Sequence, residues 1–188
     1  VSWLEQVHGA AVVRAEPDIG GLTADASWTD IPGVACAVLT ADCLPVLFCS
    51  QKGDRVAAAH AGWRGLLAGV LESTIAAMAT EPGQLLAWLG PAIGPAAFEV
   101  GPEVRDAFVA AAATGDSLAT GNCFHSTGAR PGHFMADLAC LARIRLTAFG
   151  LTGVYGGQFC TLSDPRRFFS YRRDGQTGRM ASLILLAR

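Results

Sequence analysis

A thiol and two imidazoles have the clearest capacity for chemistry in this chain: His8 in Gln-Val-His-Gly, Cys43 in Ala-Asp-Cys-Leu-Pro, and His60 in His-Ala-Gly-Trp-Arg-Gly. A thiolate with two neutral imidazoles is one ligand short of a closed tetrahedron. Zinc held this way keeps a position for water or substrate, as in a catalytic rather than a structural site. The three lie far apart in sequence and lack the close pairs of a zinc finger. Residue type alone therefore also fits an ordinary buried thiol and two hydrogen-bonded core histidines.

The neighbours of the trio widen the chemistry. Asp42, beside Cys43, can orient the second nitrogen of a histidine, act as a base, or cap a turn. Arg64 follows His60 at the expected start of a helix, where unpaired N–H groups and a guanidinium both favour a phosphate; a surface ion pair is the competing reading. Trp63 can stack on a flat ligand ring or pack in the core. Cys123, His125 and His133 fall in a glycine-rich stretch too loose to pre-organise ligands and are read as non-functional.

These groups are positioned by an alternation of short strands and helices. Residues 7–14, 34–40, 44–49, 55–60, 85–89 and 156–160 read as strands. From Leu66 to Met78 the apolar residues repeat as one helical face, stopped by Pro82-Gly83. Gly101-Pro102 opens a second helix, with Pro where a first helical residue tolerates the missing donor, and Gly115 closes it. Residues 115–133 read as a mobile loop and 136–149 as a helix. Residues 168–172 and 179–186, around Asp174-Gly175, carry a hairpin signal. Strands near both ends with helices between them give an α+β class, as a single domain over 1–188.

Composition bounds the function. The chain has 188 residues, is 51% hydrophobic and can bury a substantial core. Its net charge of −2 gives no footprint for nucleic acid, apart from a local cluster at Arg166, Arg167, Arg172 and Arg173. No apolar run has membrane-spanning length. Six cysteines without a CxxC or a regular framework read as reduced thiols of a cytoplasmic protein.

Several motifs, in order and spacing, resemble one known family. They are Gln6-Val7-His8-Gly9, Asp25-Ala26 with Thr29-Asp30, Thr40 to Val46, His60 to Gly65, Gly90 to Pro95 with Glu99 to Gly101, and Phe169 to Gly175 with Thr177 to Arg179. The chain resembles the YfiH-type family, called laccase-domain or multicopper polyphenol oxidase proteins in older usage and purine nucleoside phosphorylases now. The resemblance implies mixed sheets flanked by helices and one zinc ion on His8, Cys43 and His60. It also implies phosphorolysis of adenosine, inosine, guanosine or methylthioadenosine, with adenosine deamination as a side activity. The partners implied are a nucleoside and phosphate. Relatives usually carry some tens of residues before the first motif, so any contact from that segment is missing here. Ala96-Ala97 stand where many relatives have cysteine.

Two other reaction classes fit parts of the pattern. Copper-dependent phenol oxidation fits a His₂Cys set, although blue-copper sites add a weak axial ligand and multicopper oxidases need more than four histidines. A metal-free hydrolase would use Cys43 as nucleophile with a histidine as base. Arg172, Arg173 and Arg179 are read as bracing the C-terminal strands or rimming the pocket.

Overall fold

The computed structural model of the protein describes residues 1–18, 20–126 and 130–187. In chain order the first strands are β1 (Leu4–Glu5), β2 (Val12–Arg14), β3 (Leu22–Thr23), β4 (Ala26–Thr29), β5 (Ala35–Thr40), β6 (Leu44–Ser50) and β7 (Val56–Ala61). Helices α1 (Trp63–Leu67) and α2 (Val70–Met78) follow, and a 3-10 turn at Pro82–Gln84 leads into β8 (Leu85–Leu89). The second half holds β9 (Glu99–Val100), α3 (Pro102–Ala110), α4 (Ser117–Gly121), β10 (Phe124–Ser126) and β11 (Phe134–Ala136). Then come α5 (Leu138–Ala148), β12 (Gly153–Gly156), α6 (Tyr171–Asp174) and β13 (Met180–Leu185).

A mixed six-stranded sheet, in the order β12-β8-β6-β7-β4-β2, is the frame. Its central strand β7 is buried at every residue, because both faces are covered. On one face Val46, Phe48, Ala57 and Ala59 join the main core with Leu71, Ile75 and Met78 of α2 and Leu141 of α5. On the other, Ala58 and Leu47 meet Cys36 and Val38 of β5 and Ile184 of β13. These two strands form their own antiparallel pair, Met180 opposite Thr40 through Leu185 opposite Ala35. The period-2 alternation of each strand thus serves two cores at once. The α+β expectation holds, and no described helix is long and apolar enough to cross a membrane.

Several local expectations are corrected. Residues 7–11 are not strand; His8 sits in a bend at φ 62°. The helix expected from Leu66 is two helices, broken where Gly69 takes φ 91°, and α2 ends on Ala79 at φ 47° before the proline is reached. The second helix stops at Ala110, ahead of Gly115. Within 115–133 lie α4 and β10, while residues 127–129 are outside the described part. The strand expected at 156–160 is β12, three residues earlier, parallel to β8.

The C-terminal hairpin is absent: residues 171–174 are helical and β13 pairs with β5 rather than with its neighbour in sequence. The cysteines are not all thiols either, because Cys123 and Cys140 form a disulfide between the end of α4 and the start of α5. The fold brings these two together across 17 residues, a pairing that no local spacing advertises.

Candidate metal centre

The edge where β6 begins and β7 ends carries the expected trio. Leu44 pairs with Ala61 and Pro45 with His60, so Cys43, just before β6, lies beside His60. His8 arrives from the turn after β1. One ligand atom from each of His8, Cys43 and His60 lies within 4.8 Å of the others. Cys43 Sγ is 3.8 Å from His8 Nε2, and the two imidazoles meet edge-on with centroids 4.7 Å apart. His60 is buried, Cys43 half-buried and His8 exposed. The group is therefore anchored in the core and open on one side, as a site with a free coordination position requires.

Asp25 holds the arrangement together, and the sequence reading gave it no role. Its fully buried carboxylate accepts from His60 Nδ1 at 2.8 Å, which leaves Nε2 as the ligand atom. The same carboxylate accepts the backbone N–H groups of Val7, His8 and Gly9 at 3.2, 2.8 and 2.6 Å. One side chain thus fixes the ring of one histidine and the backbone turn that carries the other. The left-handed conformation of His8, rare for a non-glycine residue, is held by these bonds. The available signal was a lone acid flanked by alanines just ahead of a largely buried strand, a setting that demands strong partners.

Asp42 does not orient a histidine. Its Oδ1 accepts from the Thr161 hydroxyl at 2.6 Å and its Oδ2 from the Arg172 N–H at 2.7 Å. Its backbone, at φ 87°, makes the corner that presents Cys43. Ile93 N–H donates to the Asp42 carbonyl at 2.9 Å, so the Gly90–Pro95 motif buttresses the same corner.

Electrostatics suit metal ligation. Burial lowers the His60 pKa against the pull of Asp25, which favours the neutral, ligating ring. Burial, with the Asp42 charge second, pushes the Cys43 thiol up to about 11, while Arg179 and Arg64 pull it down. Without a cation beside it, Cys43 is a protonated thiol at neutral pH, which disfavours the metal-free hydrolase. A soft divalent cation would supply the missing positive charge, so the donor set fits zinc.

Two glycines let the backbone come this close. A Cβ on Gly62 would lie 2.8 Å from Cys43 Sγ and 3.1 Å from His8 Cδ2; one on Gly65 would lie 2.8 Å from the Gly9 carbonyl oxygen. Gly62 has ordinary extended geometry, φ −60° and ψ 159°, so Gly62→Ala adds crowding without backbone strain. It is expected to weaken metal affinity about tenfold or more while the circular dichroism spectrum is retained. Chelator competition measures this, and unchanged affinity would refute the close approach.

Above the trio opens a cleft of about 610 Å³, lined among others by Gln6, Asp42, Trp63, Arg64, Phe98, Tyr171, Arg172 and Arg179, a volume in the small-ligand range. Arg64 lies over the Trp63 ring at 4.6 Å, and Arg172 over Phe98 at 5.6 Å. Arg179 donates to the Thr177 and Gly178 carbonyls at 3.0 Å. Among the described residues none of these three arginines pairs with a carboxylate. Arg172 and Arg179 do rim the pocket. Arg173 instead braces the segment, donating to the carbonyls of Thr161, Leu162 and Phe168.

Comparison with known proteins agrees with this architecture. The family model described as multi-copper polyphenol oxidoreductase laccase matches residues 1–187. A purine nucleoside phosphorylase of Pseudomonas aeruginosa is 61% identical over 185 residues, covering 98% of this chain and 74% of the relative. The Escherichia coli purine nucleoside phosphorylase YfiH is 54% identical over 186 residues, covering 98% and 73%. The crystal structure of a Neisseria meningitidis protein superposes with a TM-score of 0.92 at 54% identity, covering all of this chain and 75% of that one. With the match running over nearly every residue and the fold shared, the chain belongs to the multi-copper polyphenol oxidoreductase laccase family, the YfiH-type family whose motifs it carries.

Proposed function

We propose that this protein is a zinc-dependent purine nucleoside phosphorylase that takes adenosine, inosine, guanosine or methylthioadenosine, with adenosine deamination as a side activity. The observation that carries the reading is the convergence of His8, Cys43 and His60 at the base of a cleft with three arginines free of carboxylate partners. Among the described residues Asp42 is the one carboxylate lining that cleft, so the balance of charge favours an anionic ligand. The names of the relatives supply the nucleoside.

In phosphorolysis a phosphate oxygen bonds to ribose C1′ as the C1′–N9 bond breaks. The bonding pair leaves with the base, and a proton moves from phosphate to the base. Arg64 and Arg179 are assigned to the phosphate, as charged forks that fit its oxygens. Each Asp42 oxygen keeps a second lone pair beyond its present bond, so Asp42 is assigned to relay that proton. His60, held by Asp25, stays a neutral ligand. A zinc ion held by His8, Cys43 and His60 would supply Lewis-acid polarisation and, for deamination, would acidify water. Copper oxidation is less well supported: one three-residue ligand group occurs among the described residues, and no methionine lines the cleft to serve as an axial ligand.

Purified protein is expected to hold about one zinc per chain and to release adenine from adenosine only when phosphate is present. Arg64→Ala should raise the KM for phosphate by about one to two decades, the loss of one charge-assisted contact. Metal content and deamination should change less. Elemental analysis and product chromatography test this together. Less than a tenth of an equivalent of metal, or adenine release independent of phosphate, would refute it.

A further inference from the structure

A purine gains from lying against an aromatic plane, and three rings line the cleft: Trp63, Phe98 and Tyr171. Two are already engaged. Trp63 packs against the main core and carries the Arg64 guanidinium 4.6 Å over its ring. Phe98 is 7% exposed and lies beneath Arg172. Tyr171 is different: it is 62% exposed, and among the described residues its side chain enters no ring pair, cation contact or hydrogen bond.

The backbone that carries this free ring is tied on both sides. Fully buried Ser170 caps α6, its hydroxyl accepting from Arg173 N–H at 3.2 Å. Arg172 N–H donates to Asp42 at 2.7 Å, next to Cys43. A short helix docked onto the metal-ligand corner thus presents an unpartnered ring to the cleft. Tyrosine, with two side-chain torsions, gives large contact area at low entropic cost.

We propose that Tyr171 is the stacking platform for the purine base. This rests on the nucleoside reading of the cleft and goes further, because it separates recognition of the base from recognition of phosphate. The ring face does the work, so Tyr171→Phe retains function and Tyr171→Ala loses it.

The test is calorimetric titration of the metal-loaded protein, first with inosine in the absence of phosphate and then with inorganic phosphate alone. Wild type and Tyr171→Phe are expected to bind inosine equally, and Tyr171→Ala about ten- to a hundredfold more weakly. All three should bind phosphate alike and hold the same metal. Inosine binding by Tyr171→Ala as tight as by wild type would overturn the proposal and leave the nucleoside reading standing. Equal weakening of inosine and phosphate would also overturn it, since the ring would then be shaping the cleft. A wild type that binds phosphate but no inosine would overturn the nucleoside reading, and the proposal with it.

Discussion

Cys43→Ala is expected to abolish both metal content and turnover, to below about a hundredth of wild type, while leaving the protein folded. Removing the thiolate leaves two imidazoles, one of them on an exposed turn, and two neutral ligands hold zinc far less well than three with a charge among them. The fold loses little. Cys43 is half-buried at a corner fixed by the bonds of Asp42 to Thr161 and Arg172, which the substitution does not touch. The unfolding midpoint of the metal-free protein should therefore move by no more than about 4 °C, the equivalent of about 1 kcal/mol in a domain of this size. Metal content separates this account from a cysteine-nucleophile mechanism: a variant without turnover that still held a full equivalent of zinc would favour the nucleophile. Full turnover in the variant would remove Cys43 from the chemistry altogether.

Asp25→Asn is expected to do the reverse, costing stability first and metal second. The carboxylate accepts four donors without solvent. An asparagine keeps one acceptor oxygen and turns the other position into a donor that faces N–H groups. At least two donors, buried or part-buried, lose their partner, at about 1 to 3 kcal/mol each. A total near 3 to 5 kcal/mol lowers the midpoint by about 6 to 20 °C. With the His60 ring and the His8 turn both released, metal affinity should fall by about ten- to a hundredfold. Thermal unfolding and chelator competition on the same sample provide the check; a midpoint within 2 °C of wild type would show that Asp25 is not the brace described above.

The convergence of His8, Cys43 and His60 was legible in the sequence because each member sits in a long, distinctive motif and two of them flank strands whose apolar runs are unambiguous. The 35–40, 44–50 and 56–61 strands appear within a residue or so of expectation. Asp25 was missed because its importance lies in bonds to residues 16 to 35 positions away, and local pattern carries no trace of them. The same reason explains the lost hairpin. Asp174-Gly175 is a sound local turn signal, but pairing along six residues of β5 and a capped helix at Ser170 outweighed it. Gly69 broke the expected single helix by supplying φ 91°, an option that apolar periodicity does not register.

Asp42 is also a seam between two parts of the chain. The candidate metal ligands and their brace, His8, Cys43 and His60 with Asp25, all lie within residues 1–60. Tyr171, Arg172 and Arg179, which wall the cleft, come from the last eighteen positions. The two groups meet at Asp42, which accepts from Arg172 N–H across 130 residues, and along the pairing of β13 with β5. A chain emerging from the ribosome can therefore bring His8, Cys43 and His60 together before Tyr171, Arg172 and Arg179 arrive to complete the cleft. Over generations, substitutions in the final stretch can retune which molecule is held without disturbing the His8, Cys43 and His60 group beneath it.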